Sequence, residues 1–166
     1  MLLLIQCILL CGIFTLLILP QQFKNPLSQI VSYPPAIRKR VESLPQYRDI
    51  LAETRKNNIL RKIISAVIAV FLLAVTAYFS GKTDFVSAFI HVFVLFSAVN
   101  LYDLIVLDII VFAHCKKVVI PGTEDMVKEY RDPIHHIKGA CIGVLISVAA
   151  ALFVGGVVEV ISLIIK

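Results

Sequence analysis

The residues that could do chemistry are concentrated in one long apolar run, which five polar side chains interrupt on one side. They are Ser97, Asn100, Asp103, Asp108 and His114. On a helical wheel at 100° per residue, these positions fall within roughly 140° of one another, so they form a single stripe. Carboxylates, an amide and an imidazole can bind a cation or a metal ion, or transfer a proton. The stripe therefore predicts a binding site for a substrate or an ion.

The depth of this stripe in a bilayer decides what it can do. A helix rising 1.5 Å per residue crosses ~30 Å in about 20 residues, which places Asp103 at the inner boundary and Asp108 near or beyond it. An ionised carboxylate deep in lipid costs at least ~2.5 kcal/mol, so both aspartates are expected to face protein or water. The alternative to a binding site is a solvated extension of the helix, in which the carboxylates pair with Arg61, Lys62 or Lys138.

Three histidines are predicted at the same end of the molecule. His114 ends the third apolar run, while His135 and His136 follow Asp132-Pro133, a helix cap and first-turn proline for the last run. The positive end of a helix favours neutral imidazole, the form that ligates metals and accepts protons. Neighbouring side chains on a helix point about 100° apart, so only one of the pair is expected in the site, and we select His135. No HExxH, CxxC or GxSxG spacing accompanies them, so the metal and the cofactor stay unspecified.

The elements that must position these residues are membrane helices. The chain of 166 residues is 59% hydrophobic and 16% charged, with a mean hydropathy of +0.92, whereas soluble domains carry about 25% charged residues. Four apolar runs reach bilayer length and none alternates with period two, which indicates helices rather than barrel strands. We predict an all-α polytopic integral membrane protein with one domain over 1–166. Its four helices are predicted at about 2–19, 60–80, 84–114 and 133–165, with cytoplasmic loops at 20–59 and 115–132.

The orientation is predicted from the basic residues. Nine of the sixteen Lys and Arg residues lie in 24–62 and five lie in 116–138. With four spans both stretches fall on one side, which the positive-inside rule makes the cytoplasm. We therefore predict a cell-membrane protein with both termini outside and with loops that contact anionic lipid headgroups. The first run is predicted to be a retained helix, because no basic residue precedes it and no small-x-small cleavage pattern follows. The net charge of +5 belongs to the loops and indicates no nucleic-acid partner.

Short helices are predicted in the first loop, which five prolines divide. One would run over 35–44 with Ile37 and Val41 on one side, and a second would follow Pro45 with its own apolar face. Amphipathic helices of this kind lie in the membrane interface, where they anchor the loop. The alternative is a surface that docks a regulator or a partner.

Small residues recur every four positions along the last apolar run. They are Gly139, Gly143, Ser147, Ala151 and Gly155. In lipid, helices associate through close backbone approach, which a stripe of small side chains permits. We predict a helix-packing seam within one protomer or between protomers, and hence a homo-oligomer or a larger membrane complex. The alternative is a cavity beside the stripe. Glu159 continues the spacing and is expected near the outer headgroups.

The second loop carries a resemblance. The stretch from Val119 to Glu124, followed by Tyr130, Pro133 and His135, resembles a cytoplasmic loop of small multi-pass bacterial membrane proteins of unassigned activity. The similarity extends back to the end of the third apolar run. It implies a multi-pass membrane fold and no particular chemistry.

Three classes of function are compatible with these features. The polar stripe could line the path of a small transporter or channel-like protein, and the loops could dock an accessory subunit onto a larger complex. A membrane-embedded enzyme with a metal or acid-base centre at the cytoplasmic rim is the alternative. We favour transport or accessory function, because no nucleotide-binding or hydrolase motif supports an enzyme.

Overall fold

The computed structural model describes the backbone of residues 1–165 and the side chains of all of these except 53–62 and 165. The described residues form helices joined by turns and loops and contain no β-strand. The predicted all-helical class is therefore confirmed for this part of the chain. The helices are α1 (Leu2–Lys24), α2 (Pro35–Ser43), α3 (Arg48–Phe79), α4 (Phe85–Tyr102), α5 (Val127–Tyr130) and α6 (Pro133–Ile165). A π-helix, Asp103–Phe112, continues α4 without a break.

Three helical segments are long and apolar enough to cross a membrane. They are Leu2–Lys24, Phe85–Phe112 and Val127–Ile164. The apolar part of α3, Ile63–Phe79, is shorter. Large apolar side chains remain exposed along the outer faces of these helices, where a lipid bilayer would cover them. These lengths and compositions are those of a membrane protein.

Two helices extend beyond the bounds predicted from hydropathy. α1 continues through Pro20 to Lys24. Pro20 has no N–H to donate within the helix, but the helical hydrogen bonds resume after it, and Asn25 N donates to Gln21 O. α3 already begins at Arg48, so the short helix predicted after Pro45 is its first part. No glycine or proline separates the polar start of α3 from its apolar end. Hydropathy marks only the apolar part of such a helix.

The two long loops pack against each other and form a small core outside the apolar helices. We call it the loop core, and its buried residues are Leu27, Ile30, Tyr33, Ile37, Val41, Tyr47, Ile120 and Tyr130. Ile37 and Val41, on the apolar face of α2, are completely buried in it. Since protein covers this face, the interfacial placement predicted for α2 is not confirmed.

Tyrosine hydroxyl groups fix the second loop to the first. Tyr33 Oη donates to Val118 O at 2.8 Å, and Tyr47 Oη donates to Pro121 O at 3.0 Å. Between these contacts the chain turns at Gly122, whose φ of +91° is in the left-handed region that favours glycine. The turn therefore depends both on the glycine and on tyrosines from another part of the chain.

Tyr130 holds the same turn from its other side. Its hydroxyl accepts a hydrogen bond from Ile120 N at 3.0 Å and shares a second one with Thr123 Oγ1 at 2.7 Å. Thr123 Oγ1 also donates to Ile120 O at 2.7 Å. The buried Thr123 side chain therefore closes this network.

The small-residue stripe of α6 packs against α4 within the chain. Ser147 and Ala151 are completely buried, and Gly155 is buried beside Phe85. A Cβ added at Gly155 would lie 3.1 Å from both the side chain and the carbonyl oxygen of Phe85. These residues of the predicted seam therefore lie at a contact between two helices of one chain, as small residues permit, whereas Gly139 is exposed.

The start of α4 is capped by two carboxylates. Asp84 Oδ1 accepts a hydrogen bond from Ser87 N at 2.9 Å, and its hydrogen bonds to Ser87 lower the pKa of the Asp84 carboxyl. Glu159 Oε2 accepts a hydrogen bond from Phe85 N, also at 2.9 Å. Glu159 therefore joins the ends of α4 and α6, in addition to any contact with headgroups.

Candidate ligand-binding cavity

A cavity of about 390 Å³ lies between α1, the π-helix, the first turns of α6 and the loop core. Ligand-binding pockets in proteins commonly have volumes of about 300–1,000 Å³. The polar side chains that line it come from α1, the first loop, α4, the π-helix, α5 and α6. They are Gln22, Gln29, Ser32, Tyr33, Asn100, Asp103, Asp108, Tyr130, His135 and His136. We call it the Asp103 cavity.

The predicted stripe and the selected His135 together supply four lining residues of this cavity. They are Asn100, Asp103, Asp108 and His135, whereas Ser97 of the stripe does not line it. His114 does not join them, because its exposed side chain points elsewhere and its Nδ1 contacts Ile110 O at 3.2 Å. His136, which was set aside in favour of its neighbour, lines the cavity as well.

The π-helix explains why both aspartates reach the same cavity. In an α-helix, residues five apart in sequence lie roughly 140° apart around the axis. The i→i+5 hydrogen bonds of a π-helix instead bring such residues close to one line. One of these bonds joins Ala113 N to Asp108 O at 3.0 Å. Asp103 and Asp108 are five residues apart within this segment, so they share a face.

Asp108 and His136 are in direct contact on the cavity wall. The distance between Asp108 Oδ2 and His136 Nδ1 is 3.0 Å, and both side chains are largely shielded from solvent. His135 Nε2 lies 3.1 Å from Ser32 O and so connects α6 to the first loop. The two imidazoles therefore make different contacts: His136 lies beside a carboxylate, and His135 lies beside a backbone carbonyl.

The Asp103 carboxylate has no such contact within the described part of the chain, where it accepts no hydrogen bond. Two of its predicted partners, Arg61 and Lys62, lie outside the residues whose side chains the structure describes. The third, Lys138, is exposed and forms no ion pair among the described contacts.

Gln22 and Tyr33 form the wall nearest the loop core. Gln22 is only 4% exposed, and its Nε2 donates to Tyr33 Oη at 2.7 Å. Burial, with a smaller contribution from nearby Tyr130, raises the pKa of the Tyr33 phenol, which keeps its proton and donates to the loop. Gln22 Oε1 accepts no hydrogen bond from the described residues. Sequence reasoning missed both residues, and the only signal was a glutamine that follows the apolar run of α1.

Asn100 holds α4 close to α6 beside the cavity. Its Nδ2 donates to Ala140 O at 2.9 Å. This approach requires Gly143, because a Cβ there would lie 2.7 Å from Asn100 Cγ. By contrast, a Cβ at Gly139 would meet nothing within 4 Å. Asn100 is therefore both a cavity residue and a packing residue.

The arrangement is suited to binding a positive charge. Among the described residues, no group of three or more His, Cys, Asp and Glu side chains could hold a metal ion. The groups that could contact such a charge include the Asp103 carboxylate, which has no partner among the described residues, the Asp108 carboxylate beside an imidazole, and the buried Gln22 amide. Aromatic and aliphatic side chains complete the wall, among them Phe14, Ile18, Leu104 and Phe112.

The fold and the cavity define an all-helical protein with membrane-length helices and a polar cavity next to a folded loop layer. Comparison of the chain with protein-family models, curated proteins and solved structures finds no match. The function is therefore inferred from the cavity and its position.

Proposed function

We propose that the chain is a four-span integral membrane protein of transport or accessory-subunit type, whose Asp103 cavity binds a cation from the cytoplasm. The observation that carries this proposal is the Asp103 carboxylate, which lines a ligand-sized cavity without a hydrogen-bond partner among the described residues. Convergent polar groups in a largely apolar pocket are typical of ligand sites, and ionisable residues in membrane segments commonly mark substrate or ion paths.

The fourth span in this proposal is the apolar part of α3. Ile63–Phe79 rises about 26 Å at 1.5 Å per residue, a few ångströms less than a typical hydrocarbon core. A short span is accommodated by local thinning of the bilayer or by long flanking side chains that extend to the interface. Four spans bring the basic stretches 24–62 and 116–138 to the side of the loop core, and the positive-inside rule assigns that side to the cytoplasm.

Labelling of single cysteines tests this topology. In a background with the four native cysteines replaced by serine, Ser43→Cys in the loop core region and Thr83→Cys in the opposite hairpin are both exposed positions. We expect a membrane-impermeant maleimide to label position 83 in intact cells and position 43 only after permeabilisation. Labelling of position 43 in intact cells, or of both positions from one side, would contradict the proposed topology.

The packing beyond the cavity supports access from one side only. Past Asn100, toward the start of α4, most of the buried residues are apolar and include Val92, Leu95 and Val154, and the buried polar ones there are His91 and Ser147. In alternating access, a transporter opens its site to one side of the membrane at a time. In this state, packed apolar residues would close one end of the site while the other end is polar. An accessory subunit would use the same cavity to bind a charged group without moving it.

A membrane-embedded enzyme is the second candidate, and one contact favours it. The carboxylate of Asp108 lies beside His136 Nδ1, an arrangement that orients an imidazole as a general base. In an enzyme of this kind His136→Gln would remove turnover, whereas in a transporter Asp103 would matter more than His136.

Asp103→Asn separates a binding function from a purely structural one. Purified protein in proteoliposomes would be exposed to Na⁺, K⁺, Mg²⁺ and phenethylammonium, with charge movement and bound cation measured. We expect at least one cation to give a signal that Asp103→Asn weakens at least about tenfold, since a charge-assisted hydrogen bond contributes ~1.5–3 kcal/mol. The melting temperature should stay equal or rise, because an unpaired carboxylate in a low-dielectric site is costly.

The matched control is Asp125→Asn, which removes an exposed carboxylate that does not line the cavity and should leave every signal unchanged. Asp103→Asn protein that binds and moves all four cations like the parent would refute the proposed function.

A further inference from the structure

We propose that the ligand of the Asp103 cavity is an organic ammonium ion, a protonated primary or secondary amine with an apolar body. This proposal rests on the proposed function, because it assigns a chemical class to the cation bound by that same cavity. Three features of the cavity carry it: its free charge, its free hydrogen-bond acceptors, and its apolar wall.

The charge of the cavity fits one positive charge on the ligand. Asp108 Oδ2 is already in contact with His136 Nδ1 at 3.0 Å. Only Asp103 offers a carboxylate without a contact to the described residues. A single free carboxylate matches a monovalent cation better than a divalent metal ion, which takes six or more oxygen ligands from protein and water.

The hydrogen-bonding groups of the cavity fit a ligand that donates. The Asp103 carboxylate and Gln22 Oε1 are both acceptors, and neither accepts a hydrogen bond within the described part of the chain. Gln22 is 4% exposed and is held by its bond to Tyr33, so its orientation is set before a ligand arrives. An ammonium N–H could donate to both of these acceptors, whereas a quaternary ammonium or a bare alkali-metal ion has no hydrogen to donate.

The remaining wall fits an apolar body. Phe14 and Ile18 of α1 lie on one side of the cavity, and Leu104 and Phe112 of the π-helix lie on another. These side chains cannot replace the water shell of an inorganic ion, but they can bury hydrocarbon and thereby stabilise a ligand that carries it. Aromatic faces also attract cations. A volume of about 390 Å³ is far more than a single ion would fill.

Binding of four probes to the whole protein in lipid nanodiscs tests the proposal by calorimetry. The probes are phenethylammonium, its N,N,N-trimethyl analogue, neutral 2-phenylethanol and K⁺. We expect phenethylammonium to bind and each of the other three to bind at least about tenfold more weakly, the difference of one charge-assisted hydrogen bond. Asp103→Asn should reduce phenethylammonium binding to the level of 2-phenylethanol. Asp103→Glu, which keeps the charge, should retain binding, and Asp125→Asn should bind like the parent.

Each other outcome overturns a defined part of the ammonium proposal or of the proposed function. If K⁺ binds in an Asp103-dependent manner and phenethylammonium does not, the ammonium proposal fails and the cation site of the proposed function stands. Equal binding of the trimethyl analogue overturns the requirement for N–H donors. If 2-phenylethanol binds as well as phenethylammonium, or if no probe depends on Asp103 and the cation panel above also shows no such dependence, both proposals fail.

Discussion

Gly143→Leu should prevent stable folding of the protein, and Gly143→Ala should lower its melting temperature. Even the smaller change adds a Cβ 2.7 Å from Asn100 Cγ, so the amide has to move and give up its hydrogen bond to Ala140 O. Overpacking of a fitted interface costs about 1–3 kcal/mol, and losing the hydrogen bond adds ~1 kcal/mol. The leucine variant adds three more carbon atoms to the same contact between α4 and α6.

The matched control is Gly139→Ala, one step earlier on the same stripe. A Cβ there meets nothing within 4 Å, so this variant should melt at or above the temperature of the parent. Thermal melts followed by circular dichroism in one mild detergent compare the three variants directly. Equal melting of Gly143→Ala and Gly139→Ala would show that close approach at Asn100 does not hold the helices together.

Tyr33→Phe should destabilise both the loop core and the adjacent wall of the Asp103 cavity. The Tyr33 hydroxyl accepts from Gln22 Nε2 at 2.7 Å and donates to Val118 O at 2.8 Å. Phenylalanine fills the same space but leaves both of these groups without their partner. Each unsatisfied buried group costs about 1–3 kcal/mol, so the variant should lose several degrees in melting temperature. It should also expose the second loop to proteases.

Tyr78→Phe is the control, because Tyr78 is 67% exposed and its hydroxyl makes no hydrogen bond among the described residues. Its melting temperature and its cleavage pattern should match those of the parent. If Tyr33→Phe behaves in the same way, the hydroxyl network of the loop core contributes nothing measurable, and the buried Gln22 amide must be satisfied in another manner.

The helical class and much of the cavity could be predicted from the sequence, since both depend on composition and on local spacing. Apolar runs of bilayer length permit little except helices. Carboxylates are costly to bury in lipid, so Asp103 and Asp108 directed attention to the helix that lines the cavity. Both aspartates were predicted in one stripe, but a wheel at 100° per residue places them about 140° apart, because it assumes α-helical geometry throughout. The π-helix depends on how the backbone packs against its neighbours, which no periodicity of side chains reveals.

The loop core was missed for a different reason. An apolar helix face such as Ile37 and Val41 looks the same in sequence whether lipid or protein covers it. Its cover, Ile120 and Tyr130, belongs to another loop, and nothing local connects the two segments. Gln22 and Tyr33 were missed in the same way, because they lie far in sequence from the other residues of the site. Deciding between His135 and His136 required knowledge of where Asp108 points.

The packing of the first loop on the second also affects the order of events during synthesis. Tyr33 and its acceptor Val118 are 85 residues apart in sequence. At about 5–20 residues per second, a ribosome needs roughly 4 to 17 s to make the intervening chain. During that interval the apolar face of α2 has none of its eventual cover from the second loop. A nascent chain of this protein therefore has to shelter that face against the membrane surface or a chaperone until the second half emerges.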